Sequence, residues 1–376
     1  MTGTKRTTSA GGGNAPKNAK ASKKSTKNGP RSGSRDRRHL RFAAIDLGTN
    51  NCRLLIAAPR GRNFRIVDAF SRIVRLGEGL GKTGVLSDGA MERTISALKI
   101  CAQKIEKRGV THIRCIATQA CRGADNGEAF LTRVAEETGL KFEIIPTEEE
   151  ARLAVVGCAE LLDENTAAGL IFDIGGGSTE LSWVKITKQG SSNPPTVDVV
   201  AWTSLPFGVV SLAEKWDGRE ITTEKYAAMI DDIRAQLSAV GDPAGVKALF
   251  DSDDAHLLGT SGTVTSIAGV HLGLKRYRRD EIDGVWLTAN DAREVTERLR
   301  AMSLDDRANE PCIGPDRADL VVCGCAILDA LQREWPASRI RVADRGLREG
   351  ILADLTQQAR RENQRSRKKR SRTKAS

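Results

Sequence analysis

Two stretches of this chain obey one local grammar, and that repetition constrains the fold more than any other feature. The later copy is Asp173-Ile174-Gly175-Gly176-Gly177-Ser178-Thr179-Glu180, entered from the apolar run Gly169-Leu170-Ile171-Phe172. An apolar run closed by an aspartate and three glycines predicts a buried strand ending in a tight turn, where the backbone comes close to another group. Successive residues without side chains leave N–H groups free to converge on an anion, with the Ser178 and Thr179 hydroxyls beside them. A phosphate fits that description. Asp173 cannot face the anion directly, so a divalent cation between its carboxylate and the phosphate is the natural complement. A glycine-rich surface turn without a ligand is the plainer alternative. The earlier copy, Phe42-Ala43-Ala44-Ile45-Asp46-Leu47-Gly48-Thr49-Asn50, repeats apolar strand, aspartate, aliphatic residue, glycine and polar donors, and leads into Leu54-Leu55-Ile56. Two such hairpins, each nucleating its own α/β domain, would place their turns on opposite walls of a cleft and clamp a polyanion between them.

This paired arrangement resembles the actin, Hsp70 and sugar-kinase superfamily of ribonuclease-H-like domains. Five motifs narrow the resemblance: Asp46-Leu47-Gly48-Thr49-Asn50-Asn51, Ala117-Thr118-Gln119-Ala120-Cys121-Arg122, Glu149-Glu150-Ala151-Arg152, the octapeptide 173–180, and Gly259-Thr260-Ser261-Gly262-Thr263. Their order is similar to that in the exopolyphosphatase/guanosine pentaphosphate phosphohydrolase (Ppx/GppA) family, over about Arg41 to Leu355. The resemblance implies two actin-like α/β domains flanking a cleft, 41–165 and 166–356. Longer members of the family carry a further C-terminal histidine–aspartate domain; here none of the four histidines is followed by aspartate, and the chain reads as the short form.

Charge separates the ends from the body. The whole chain holds +11, yet residues 1–40 alone hold +10 and residues 357–376 hold +8, which leaves 41–356 at −7. Both ends are poor in large apolar residues and rich in Lys, Arg, Ser and Asn, a composition that predicts disordered basic tails. Such tails could hold polyanions, polyphosphate or RNA, by counterion release, or could serve as solvated extensions. No apolar run reaches the ~20 residues of a membrane span, and the N-terminus lacks the apolar core of a secretory signal. The eight cysteines include no C-x-x-C pair, so reduced buried thiols and a cytoplasmic location are expected. The oligomeric state is open, a homodimer included.

Other motifs have mostly structural readings. Leu76-Gly77-Glu78-Gly79-Leu80-Gly81-Lys82-Thr83 imitates a Walker loop, but leucine stands where the first glycine belongs, so an ordinary connection is expected. Ser87 suits the N-cap of a helix from about Asp88 to Lys107 with Gly109 as its stop. Arg122, at the end of a strand His112–Thr118, could fork onto a phosphate or pair with a neighbouring acid such as Asp125. Glu148-Glu149-Glu150 opens a helix running to about Leu162, capped by Thr147, and acids in a first turn also suit the helix dipole. The Ser211 position holds arginine in many members of the family, so one anion contact is in doubt here.

The resemblance then assigns roles. Glu150 matches the family's catalytic base, with Asp173 and Glu180 completing the catalytic acids. Asp173, with Asp46 or Glu180 beside it, would hold Mg²⁺ or another divalent cation. Thr49, Asn51, Arg53, Arg122, Gly175, Gly176, Ser178 and Thr179 would bind phosphate, and the turn Ser261-Gly262-Thr263 would take phosphates further along a chain or simply cap a helix. The implied reaction is hydrolysis of the terminal phosphoanhydride of inorganic polyphosphate, with the 5′ γ-phosphate of pppGpp as the alternative. A kinase of the same superfold and a polyanion-binding module acting through the tails are the readings from other classes.

Overall fold

Each copy of the grammar starts a sheet. In the first, β1 (Phe42–Leu47) turns through Gly48–Asn50 into antiparallel β2 (Asn51–Arg60), which pairs with β3 (Asn63–Ile73) on one side, while parallel β4 (His112–Ala117) and β5 (Phe142–Ile144) extend the other. The order is β3-β2-β1-β4-β5. In the second, β6 (Ala168–Ile174) turns through Gly175–Ser178 into β7 (Thr179–Thr187), followed by antiparallel β8 (Thr196–Leu205). Parallel β9 (Ala255–Thr260) and β11 (Arg339–Val342) continue the other side, with β10 (Trp286–Thr288) added at the edge. That gives β8-β7-β6-β9-β11-β10, the first sheet's order repeated with one extra strand.

The computed structural model describes residues 40–61, 63–188 and 196–373. All of them belong to one compact unit running from His39 to Ser376. The first basic stretch, up to His39, therefore lies outside the described residues, as does the whole of the loop 189–195. The last helix, Leu347–Thr373, runs on from the body into the second basic stretch. Its first turns are anchored, because Leu347, Ile351 and Leu352 are buried against Phe42, Ala44 and Leu55. Lys, Arg, Gln and Glu beyond that anchor are good helix formers, and propagation from an existing helix is cheap. This helix follows the second sheet in sequence, yet it packs on the first, so the chain crosses between lobes a second time at Gly346.

Local signals are obeyed closely where the chain alone decides. The helix Asp88–Lys107 begins at Ser87, whose hydroxyl accepts from the Ala90 amide, and Gly109 follows its end with φ +58°. The helix after β5 departs by one step: Thr147 lies inside it and Pro146 is the N-cap, with no side-chain cap. Proline supplies a fixed φ at that junction instead of a hydroxyl. All eight cysteines are buried and free, and burial pushes the Cys121, Cys323 and Cys325 thiols up to about 12. Among the described residues no helix is long and apolar enough to cross a membrane.

Candidate active site

The two turns face each other at the carboxyl ends of β1 and β6, where an open α/β sheet leaves room for a ligand. Each closes with the same bond: the Gly48 amide donates to Asn51 O at 2.9 Å, and the Gly175 amide donates to Ser178 O at 2.9 Å. In the second turn the carbonyls are already occupied. Gly175 O accepts from the Val209 amide and Gly176 O from Val210, both in the first turn of the helix Val209–Trp216. The Gly176 and Gly177 amides have no acceptor among the described residues, so two donors remain for a ligand.

The glycines also answer the close approach expected of such a turn, and the structure identifies the group approached. A Cβ on Gly176 would stand 2.9 Å from Thr49 Cβ, and one on Gly177 would stand 3.2 Å from Thr49 Oγ1. The glycine turn thus lies directly against the opposite hairpin. Gly208 is tighter still, since its Cβ would meet Gly175 O at 2.4 Å.

Between the turns lies a cavity of about 110 Å³. Asp46, Glu150, Asp173 and Glu180 line it together with Thr49, Asn51, Arg53, Gly175, Gly176, Ser178, Ser261, Gly262 and Thr263. Glu150 and Asp173 therefore share one space, although one comes from a helix after the first sheet and the other from a strand end in the second. Of the glutamate triplet only Glu150 turns inward. Glu148 is exposed, and Glu149 is held by Arg152 at 2.7 Å and Arg114 at 3.1 Å.

Two expected phosphate ligands are used elsewhere. The Thr179 hydroxyl is fully buried and donates to Phe207 O at 2.8 Å, tying β7 to the loop beneath the turn. Arg122 does not reach the cavity wall; it donates to Ile145 O, Gln119 Oε1 and Glu150 Oε2, the last at 3.2 Å. Its acidic partner is Glu150, not Asp125, so the guanidinium fixes the orientation of the inward carboxylate. The Ser211 hydroxyl closes a local cap with Gly208 and leaves no anion contact there.

Four carboxylates in one recess raise one another's proton affinity. Burial first, then Glu180, pushes Asp173 up to about 7. Glu150 is raised well above the usual range by burial and by the Glu180 charge, against the pull of Arg122. Burial likewise raises Glu180, opposed by hydrogen bonds from Ser178 and Ser204, and raises Asp46, opposed by Arg53 and Arg348. Such a cluster favours a cation. The donor set fits a hard divalent ion, being carboxylate oxygen throughout, with the Asn50 Oδ1, Asn51 Oδ1 and Ser261 Oγ atoms buried nearby without partners. Among the described residues no three acids converge tightly enough to hold an ion by themselves. An ion here would share one or two carboxylates with water and substrate oxygens, which is the habit of Mg²⁺.

Sequence reasoning missed several wall residues. Arg317 and Gln119 line the cavity, and Ser261 adopts φ +87°, a left-handed conformation uncommon for a non-glycine residue. Arg317 lies just before a helix that starts at Val321, in a segment that does not repeat the strand, acid and glycine pattern of the two hairpins, so only the return of the chain brings it to the site.

Known proteins can now be set beside this geometry. The profile of the Ppx/GppA phosphatase family matches residues 55–359. Exopolyphosphatase 1 of Mycobacterium tuberculosis is 27% identical over 315 residues, covering 83% of this chain and 87% of that one. The guanosine-5′-triphosphate,3′-diphosphate pyrophosphatase of Photobacterium profundum is 29% identical over 331 residues, 87% of this chain and 61% of its own. The crystal structure of the Aquifex aeolicus member of the family superposes with a TM-score of 0.68 at 28% identity, covering 85% of this chain and 98% of that one.

Proposed function

The chain belongs to the Ppx/GppA phosphatase family, with its actin-like fold and its hydrolysis of phosphoanhydride bonds, and from that premise we propose that it is an exopolyphosphatase that removes terminal orthophosphate from inorganic polyphosphate. The observation that carries the reading is the shared recess. Glu150 from one lobe and Asp173, Ser178 and the free Gly176 amide from the other line one small volume. That volume suits a single phosphoryl group and a water.

In the proposed reaction Glu150 takes a proton from the water as its oxygen bonds the terminal phosphorus. The phosphoanhydride bond opposite breaks, its electron pair leaves on the bridging oxygen, and orthophosphate and a chain shorter by one unit result. Arg122 keeps the Glu150 carboxylate aimed at that water. The glycine amides meet the equatorial oxygens, where negative charge accumulates in the transition state, and the Ser178 hydroxyl turns from Glu180 to join them. Enzymes of the family generally depend on a divalent cation. Mg²⁺ held by Asp173 with Asp46 or Glu180 would supply neutralisation of the phosphate charge that these carboxylates otherwise repel. Eight buried, unpaired cysteines support a reducing compartment, and we assign the cytoplasm.

Orthophosphate release from polyphosphate and from pppGpp, measured side by side with Mg²⁺ and with chelator, tests the reading. Faster turnover of polyphosphate that stops on chelation is expected. A preference for pppGpp at comparable concentration would overturn the substrate assignment. Glu150→Gln should lower kcat by roughly 10²–10⁴ with the fold intact, and near-normal turnover would remove Glu150 from the base role.

A further inference from the structure

The stretch that imitates a Walker loop belongs to a segment with partners in both lobes. Val74 and Arg75 donate their amides to Asn50 O at 2.9 and 3.1 Å, and Gly77 donates to Thr49 O at 2.9 Å, so the first hairpin turn rests on this segment. A Cβ on Gly77 would overlap the Thr49 side chain. Across the cleft, Arg75 forks onto the two oxygens of Asp319 at 2.9 and 3.0 Å and donates to Asp316 O at 3.1 Å. The Gly79 amide donates to Glu214 Oε1 at 2.8 Å. Glu214 lies on the helix Val209–Trp216, whose first turn holds the Gly175 and Gly176 carbonyls. One segment thus supports one hairpin turn and grips the helix that carries the other. Arg75 does so at φ +47°, a left-handed backbone that costs a non-glycine residue energy.

Asp319 has a second cation close by. Arg307, on the helix Leu304–Asn309, is 4% exposed, and among the described residues it has no carboxylate within ion-pairing distance. Its guanidinium donates to the backbone carbonyls of Ser303 at 3.4 Å and Arg219 at 3.1 Å, and its Nη1 is buried without a partner. The Asp319 backbone packs on Gly218, the neighbour of Arg219, so the two side chains flank one short stretch. Burial disfavours the Arg307 charge, and Asp319 is the nearby carboxylate that favours it. A buried cation without a counter-charge is costly, and acquiring one removes the cost.

We propose that the segment 74–79 is a clasp that sets the separation of the two hairpin turns, with Arg75 as its positioning residue, and that Asp319 is exchanged within it: Arg75 holds the carboxylate when the clasp is fastened, and Arg307 takes it when the clasp is released. The proposal rests on the shared recess of the reading above and holds for either phosphoanhydride substrate. The turns touch at Thr49 against Gly176 and Gly177, so releasing the clasp widens the recess. Fewer molecules then have both turns in reach of one phosphoryl group, and the apparent affinity falls by that fraction. The ion pair gained at Arg307 offsets the one lost at Arg75, which keeps the two states close in energy.

Neither Arg75 nor Arg307 lines the recess, so an effect of either on phosphate held there acts through the clasp. The test titrates the full chain with orthophosphate in the presence of Mg²⁺ by calorimetry, alongside kcat/KM on polyphosphate. Arg75→Gln should weaken orthophosphate about fivefold, the upper scale for a partly exposed ion pair, with kcat/KM falling in parallel, and Arg75→Lys should recover part of the loss. Adding Arg307→Gln to Arg75→Gln should restore at least about half of the loss, because the released state then has no ion pair either. Asp319→Asn removes both pairs at once and should stay within about twofold of wild type; it carries the test if an arginine variant fails to fold. A second substitution that adds to the loss, an Asp319→Asn protein as weak as Arg75→Gln, or an unaltered Arg75→Gln protein overturns the proposal. If the pattern appears but phosphate is released only from pppGpp, the clasp stands and the polyphosphate reading falls. A wild-type protein that binds no orthophosphate takes both down.

Discussion

The two hairpin turns are built alike and behave differently. Both place an aspartate two residues before a glycine, and both close with a bond from that glycine's amide to the carbonyl three residues on. Across the antiparallel ladder, however, Asp46 stands opposite Arg53, while Asp173 stands opposite Glu180. Asp46 is thus partly neutralised by the protein, with Arg348 adding to the effect, whereas Asp173 is crowded by a like charge and pushed up to about 7. The turns differ sterically as well. A Cβ on Gly48 would meet nothing nearer than 3.7 Å, but one on Gly175 would stand 2.8 Å from Ser178 O. One duplicated motif has become a permissive, charge-balanced wall on one side and a tight, charge-hungry wall on the other. The residue opposite the aspartate makes the electrostatic difference.

The largest contrast should appear in activity. Asp173→Asn is expected to lower kcat/KM on polyphosphate roughly 10²-fold, and Asp46→Asn only about tenfold, because Asp46 has less unbalanced charge to offer a cation. Equal losses in steady-state kinetics would break the asymmetry. Next in size is the steric contrast. Gly175→Ala should cost about 1–3 kcal/mol in denaturant unfolding, while Gly48→Ala stays within about 0.5 kcal/mol; matched costs would mean the two turns tolerate a side chain equally.

A subtler pair of variants reads the field at Glu150. The Glu180 charge raises this carboxylate and Arg122 lowers it. Glu180→Gln should therefore move the acid limb of the kcat/KM profile to lower pH, and Arg122→Ala should move it to higher pH. Shifts of the same sign would contradict the assignment.

The smallest effect concerns stability. A carboxylate whose affinity for protons rises on folding stabilises the folded state below its unfolded pKa, near 4, and that contribution is lost as pH rises through the folded value, about 7 for Asp173. The ligand-free protein should lose stability over that interval. Asp173→Asn should raise Tm by a few degrees at pH 8 and less at pH 5, and calorimetric scans at the two values check it. No such gain is expected from the tight turn's neighbour Ser178, which carries no charge.

Much of this was legible in the chain. The paired grammar at 42–50 and 169–180 announces two sheets, because strand, acid and glycine spacing are short-range properties that water and sterics enforce locally. The helix Asp88–Lys107 could be read from its N-cap and stop for the same reason. The glutamate triplet marks the limit. All three acids suit a helix start, and only packing of that helix between the lobes turns Glu150 inward while Arg114 and Arg152 claim Glu149. Thr179 and Arg122 show the reverse, since hydroxyl and guanidinium suggested ligands until the fold supplied Phe207 O and Glu150 as partners.

What the sequence determined by itself is the pair of strand-turns and the residue types that can handle phosphate, since these follow from spacing within a dozen residues. Only the tertiary structure decided which charges meet. Arg348 reaches the cleft because its helix crosses back onto the first sheet, about 300 positions after β1 in the chain. Register across β6 and β7, not composition, set Glu180 against Asp173. Electrostatic energy depends on distance in space and on burial, and neither is written in linear order.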